Sequence, residues 1–339
     1  MKSNCRRVKL VGICVPVCTL LLVFTLGCTH SGTGWGSFSG DPVVEARVDS
    51  VLRMMTLVEK IGQMVQFPSN GDIVTGPASE SDISGYLRMG TIGSVFNTVS
   101  VESNRNLQNA AMNNSRLKIP VLVGFDVVHG FKTIFPIPLA ESCSWDLELI
   151  RLNASIAAEE ASASGIHWTF APMVDISRDP RWGRVMEGAG EDPFLGSLIA
   201  QARVKGFQGE NPGDLKKSNT VLACAKHFAA YGAAEAGRDY NTADVSNRTL
   251  REIYLPPFKA AIDAGVATFM TAFNEIGGVP CTGNKDLFTG LLRDEWEFRG
   301  FAVSDHTAVK ELVAHGVAGT DLEAAVLAVG AGVDMNMAD

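Results

Sequence analysis

The side chains best suited to chemistry stand where short apolar runs end. Asp305 closes "GFAVSD", Asp126 closes "IPVLVGFD", and Lys226 and His227 come at the end of "TVLACAKHF". Met270, Phe273 and Asn274 lie in "VATFMTAFN", and "MVDISRDPRWGRVMEGAGEDP" mixes acidic side chains with Arg178, Arg181 and Arg184. Each has an alternative reading. Asp305 before "HTAVKEL" can be a helix N-cap, Asp126 before "VVHG" a turn former, and the arginines partners in loop ion pairs. An adjacent Lys–His pair in an apolar run is harder to explain structurally, because lysine is almost never buried without a partner. Converging on one site, these residues suit hydroxyl recognition: carboxylates accept hydroxyl protons, while Lys and His donate. A carboxylate beside an anomeric carbon can also attack it, as in retaining glycoside hydrolysis. That reaction needs a second carboxyl roughly 5–5.5 Å away as general acid.

The runs that carry these residues are strand candidates. "TIGSVFN", "IPVLVGFD", "IHWTFAPM", "TVLACAKHF", "VATFMTAFN", "GFAVSD" and "GVDMNMA" give seven, and "QMVQF" offers an eighth. Amphipathic stretches separate them, among them "VESNRNLQNAAMNNSR", "WDLELIRLNASIAAEEASASG" and "SNRTLREIYLPPFKAAIDAG", several ending at Gly as helix C-caps do. Upstream, "PVVEARVDSVLRMMTLVEKIGQMV" has helical periodicity with a break near Thr56, and "ESDISGYLRMG" reads as a further helix. Strand–helix alternation predicts a parallel sheet, and the strand count favours an α/β fold closed as a (β/α)8 barrel over an open doubly wound sheet. No GxGxxG follows the first clear strand, which weakens a dinucleotide-binding reading. In such a barrel the active site lies at the C-terminal strand ends, where the polar residues fall.

At 339 residues, 46% hydrophobic and 19% charged, the chain can bury a large core. A net charge of −8 without a basic cluster argues against a nucleic-acid partner. Residues 1–28 read as a secretory signal, with a basic start and an apolar run; an uncleaved membrane anchor is the alternative. "TLGC" resembles a bacterial lipobox in which Cys28 is lipidated, and residues 29–41 suit a flexible tether. An exported protein, in the periplasm or at the outer membrane, is expected, touching a membrane only through this N-terminal anchor. Outside the signal, Cys143, Cys224 and Cys281 lack CxxC spacing and read as small buried hydrophobes. No metal-ligand spacing and no cofactor site is seen.

From Met55 to the C-terminus the sequence resembles glycoside hydrolase family three, the β-glucosidase and β-xylosidase group. The resemblance rests on "GFDVVHGFKTIFPIPLA", "APMVDISRDPRWGRVMEGAGEDP", "LACAKHFAAYGAAEAGRDYNT" and "FMTAFNEIGGVPCTGN", in that order. It implies that residues 42–339 are the family's N-terminal barrel and that Asp305 is the nucleophile forming a glycosyl-enzyme ester. It places Asp126, Arg184, Lys226 and His227 around the glycone sugar, with Arg238 in support and Met270 in the wall. Lys132 takes a position often held by Arg, which keeps a cation without the bidentate fork. The implied activity is exo-acting hydrolysis of terminal β-D-glucosyl residues, with an oligosaccharide or aryl β-glycoside as partner.

Three departures qualify this. His306 stands where the family has a tryptophan walling the site, and Phe273 where many members have a tyrosine that bonds the nucleophile. The family's α/β-sandwich domain, which commonly supplies the acid/base glutamate, does not follow in this sequence. A truncated or impaired form is therefore expected, along with exposed apolar surface and self-association. The alternatives are a non-catalytic carbohydrate-binding barrel, a β-xylosidase, or a β-N-acetylglucosaminidase. The last is disfavoured because the loop after His227 holds no histidine before His306.

Overall fold

A computed structural model describes residues 41–69 and 83–338. The signal, Cys28 and nearly all of the tether lie outside the described residues. Eight parallel strands follow one another around a barrel: β1 (Val65–Pro68), β2 (Ser94–Phe96), β3 (Leu122–Phe125), β4 (Trp168–Thr169), β5 (Cys224–Phe228), β6 (Thr268–Thr271), β9 (Phe301–Val303) and β10 (Asn336–Met337). Two further strands, β7 (Glu275–Ile276) and β8 (Val279–Pro280), form a separate antiparallel hairpin. One ladder runs β10-β1-β2-β3-β4 and the other β5-β6-β9. Parallel bridges Trp168–Leu222 and Met173–Lys226 join β4 to β5, and Val303–Met335 joins β9 to β10, which closes the ring. The expected (β/α)8 barrel is thus observed, with "QMVQF" supplying β1.

The inner layer is aromatic and sulfur-rich. Phe96, Trp168, Phe170, Cys224, Met270, Val303, Met335 and Met337 form one buried cluster, and Trp168 Nε1 donates to Thr268 Oγ1 at 2.9 Å. Gly124 on β3 makes room for this layer, since a Cβ there would lie 2.6 Å from Phe170 Cζ. Outside the barrel, the helix Leu147–Ala163 buries Ala154, Ala157, Ala158 and Ala161 along one face, and the helix Pro193–Gln208 packs against it. The helix Asp321–Ala331 ends at Gly332 with φ 112°, a left-handed position that suits glycine.

The break expected near Thr56 is a capping box: Glu59 N–H donates to Thr56 Oγ1, and Thr56 N–H donates to Glu59 Oε2. The helix therefore splits into Pro42–Met54 and Leu57–Gly62. The run "IHWTFAPM" yields a strand of only two residues, Trp168–Thr169, after which pairing with β5 continues through the Ala171 and Pro172 carbonyls and the Met173–Lys226 bridge. The β7–β8 hairpin escaped the sequence reading although "IGGV" carries its signal: Gly277 and Gly278 both have positive φ, as a two-residue hairpin turn needs. Cysteine burial is also corrected. Cys224 and Cys281 are buried and free, but Cys143 is exposed, because it follows a short helix, Pro138–Ser142, at the surface.

Candidate active site

A cavity of about 170 Å³ opens at the C-terminal ends of the strands. It is lined by Phe96 and Asn97 after β2, Asp126 after β3, Phe170 after β4, Lys226 and His227 on β5, Met270 on β6, Asp305 and His306 after β9, Met337 on β10, and Arg184 from the β4–β5 connection. Of the residues anticipated from sequence, Asp126, Arg184, Lys226, His227, Met270, Asp305 and His306 come together here. Lys132 and Arg238 do not. Both are exposed. The Lys132 ammonium sits 4.7 Å from the Phe131 ring centroid, and its backbone N–H donates to Glu160 Oε2, so the loop after His129 turns this side chain away from the cavity.

Consecutive residues on a strand normally face opposite sides, yet Lys226 and His227 both reach the cavity. The β5–β6 register shifts between Ala225 and Phe228, an irregularity that re-aims side chains. Lys226 Nζ donates to Asp126 Oδ1 at 2.7 Å; its side chain is 5% exposed against 49% for Asp126. Burial works against the ammonium, but Asp126 keeps its pKa above the usual lysine value. Arg184 forms a bidentate pair with Glu187 at 2.7 and 2.9 Å and lies over the Tyr231 ring. Arg181 makes a surface pair with Asp179, so the loop-bridge alternative holds for Arg181, whereas Arg184 is both paired and part of the cavity wall.

Asp305 is not a helix cap. Turns follow it, and the next helix is the short Glu311–Ala314. Its Oδ1 accepts the His306 N–H at 2.7 Å, and its own N–H donates to Thr271 Oγ1. Oδ2 is buried with no hydrogen-bond partner. His227 Nε2 lies 3.5 Å from it. Burial pushes Asp305 up to about 6 despite the pull of Lys226, the His306 N–H and Arg184. His306 packs edge-on against Phe96, and burial lowers its pKa, so at neutral pH it is an uncharged imidazole with one donor and one acceptor. Phe273 is buried, its ring tilted against those of Tyr240 and Tyr231.

Sequence reasoning missed Asp175. Its Oδ2 accepts both the backbone N–H and the Nδ1 hydrogen bond of His227, at 2.8 and 2.9 Å. The "VDIS" that precedes the arginines held the only signal. Among the described residues, no group of three or more His, Cys, Asp or Glu is placed to hold a metal ion.

Fold and site together define a parallel α/β barrel whose mouth sets a carboxylate with one unpartnered oxygen among charged hydrogen-bonding groups. The family described as "Glycosyl hydrolase family 3 N terminal domain" matches residues 56–339, and the chain belongs to it. Over 296 residues it is 45% identical to a periplasmic beta-glucosidase of Salmonella typhimurium, covering 87% of this chain and 38% of that protein. A beta-xylosidase of Formosa agariphila is 40% identical over 236 residues, 66% of this chain and 32% of that one. A crystal structure of beta-glucosidase from Listeria innocua in complex with isofagomine superposes with a TM-score of 0.81 at 46% identity, covering 86% of this chain and 41% of that one. The chain thus spans about two fifths of the length of these beta-glucosidases.

Proposed function

We propose that this chain carries the glycone site and the nucleophile of a retaining, exo-acting β-glycosidase of β-glucosidase type. The observation that supports this best is Asp305 Oδ2, buried in the cavity and free of any hydrogen-bond donor. Asp305 attacks the anomeric carbon as the glycosidic C–O bond breaks, forming a glycosyl ester that water then hydrolyses. Asp126 and Lys226 together offer an acceptor and a donor for sugar hydroxyls, Arg184 and His227 complete that polar side, and Met270, Phe96 and Phe170 pack against the ring's carbon faces. The cavity volume suits a single pyranose ring, which fits removal of one terminal residue at a time.

The test uses a 2-deoxy-2-fluoro β-glucosyl donor with a dinitrophenolate leaving group, followed by peptide mass spectrometry. The expected result is a label on Asp305. A folded chain that takes up no label there overturns the assignment.

A second reading, a carbohydrate-binding barrel with little turnover, is favoured by one observation. Among the described cavity-lining residues the only other carboxylate is Asp126, and it is ion-paired with Lys226. General acid catalysis contributes about 10²–10⁴-fold. Dinitrophenyl glucoside cleaved with cellobiose left intact favours this reading; comparable turnover of both rejects it. We also propose export with lipidation at Cys28, which a palmitate label lost in Cys28→Ala would support. Self-association through exposed apolar side chains such as Leu322, Val326 and Val329 is to be read from light scattering.

A further inference from the structure

Behind the nucleophile lies a buried line of three side chains, Asp175, His227 and Asp305, exposed by 0%, 1% and 12%. A backbone N–H can only donate, so Asp175 Oδ2 acts as an acceptor toward the His227 amide. The same oxygen is 2.9 Å from His227 Nδ1, and a carboxylate oxygen readily accepts two N–H groups. Burial pushes the Asp175 carboxyl up to about 7, and once it is ionised above that pH the ring proton sits on Nδ1, facing Oδ2. Burial, Arg184 and Lys226 keep the ring uncharged, which leaves Nε2 bare. Nε2 in turn faces Asp305 Oδ2 at 3.5 Å, longer than a formed hydrogen bond but close enough for a proton between the two atoms to draw them together, and Oδ2 has no hydrogen-bond partner.

We propose that Asp175 is a positioning residue that holds His227 as the Nδ1–H tautomer, so that Nε2 gives no proton to Asp305 and Oδ2 keeps its electron pair for attack on carbon. The final clause rests on the glycosidase reading; the tautomer does not. Were the ring Nε2–H instead, it would donate to the nucleophile and blunt it. The charged and titratable groups facing this line are Arg184 and Glu187 from the β4–β5 connection, Lys226 and Cys224 on β5, Tyr240 from the loop after β5, Cys281 after β8, and Asp126 after β3. The Tyr231 ring lies edge-on to His227. Below the Asp305 pKa, the carboxyl proton can bridge to Nε2, which would give labelling an acid limb set by this pair.

Ring-¹⁵N histidine NMR of the full chain decides the tautomer, with the His227 signal assigned by its absence in His227→Phe. The wild type is expected to show a protonated Nδ1 and a pyridine-like Nε2. Asp175→Asn, whose amide oxygen can accept both N–H groups, is expected to keep that pattern. Asp175→Ala is expected to shift the proton to Nε2. Its Asp305 labelling rate should fall roughly tenfold below that of Asp175→Asn, with the acid limb displaced to lower pH. A wild type protonated at Nε2, or an Asp175→Ala protein still protonated at Nδ1, overturns the proposal. If Asp175→Ala does not fold, the wild-type spectrum alone still decides. No labelling of the wild type would count against the glycosidase reading and leave the tautomer result standing.

Discussion

Lys226 Nζ lies 2.7 Å from Asp126 Oδ1, joining the end of β5 to the end of β3 across the cavity. The lysine is buried and the aspartate half-open, so Asp126 both compensates the ammonium and shares it with anything that enters. Lys226→Met is expected to lower kcat/KM for an aryl β-glucoside by about 10–100-fold, the scale of one charge-assisted hydrogen bond. Steady-state kinetics checks this. A change of less than twofold would mean that Lys226 serves only to pair Asp126.

Asp305 should show in the pH dependence of both labelling and stability. Because burial raises its pKa to about 6, the proposed nucleophile ionises as pH rises through about 6, and labelling by the fluoro-sugar should rise with it. For stability the sign is opposite. The folded state binds this proton more tightly than the unfolded chain, so its contribution is present below about pH 4 and lost as pH rises through about 6. Asp305→Asn should therefore be more stable than wild type at pH 8, by roughly 1–3 kcal/mol. The gain should shrink toward pH 4, as urea unfolding at the two pH values would reveal.

His306 puts a neutral hydrogen-bonding ring beside Phe96, whereas a tryptophan in its place would offer only an apolar face with one N–H. A hydroxyl-bearing second sugar can bond to it, whereas an aryl group cannot. In His306→Trp the ratio of kcat/KM for a β-glucosyl disaccharide to that for an aryl glucoside is expected to fall about tenfold, one neutral hydrogen bond's worth. An unchanged ratio would show that His306 does not meet the leaving-group side.

The barrel was legible because each apolar run is short and flanked by turn or cap signals, and because the polar residue at its end interrupts the run. Asp126, Lys226, His227 and Asp305 were found on that signal alone. Asp175 was not, because it lies in an irregular connection with no periodicity, and its meaning depends on the β5 irregularity that turns His227 toward it. Lys132 and Arg238 show the converse. The family resemblance implied that they lie near the mouth, but both side chains are exposed and neither lines the cavity. The break near Thr56 was readable because its capping box depends only on neighbouring residues.

A second ion pair, unseen in the sequence, fixes the loop that follows Asp126. Arg203 Nη1 meets Glu141 Oε2 at 3.0 Å, with side chains 6% and 4% exposed, and Asn153 Nδ2 donates to Glu141 Oε1. Arg203 also donates to the Val128 carbonyl, so helix Pro193–Gln208 holds the backbone two residues beyond Asp126. Removing one partner of a buried pair strands the other charge at a cost of about 3–5 kcal/mol. Glu141→Ala is expected to lose that much stability in urea unfolding, and to weaken sugar binding through Asp126. Glu141→Gln, which keeps an acceptor for Arg203, should lose less of both. Equal losses in the two variants would mean that volume, not charge, anchors the loop.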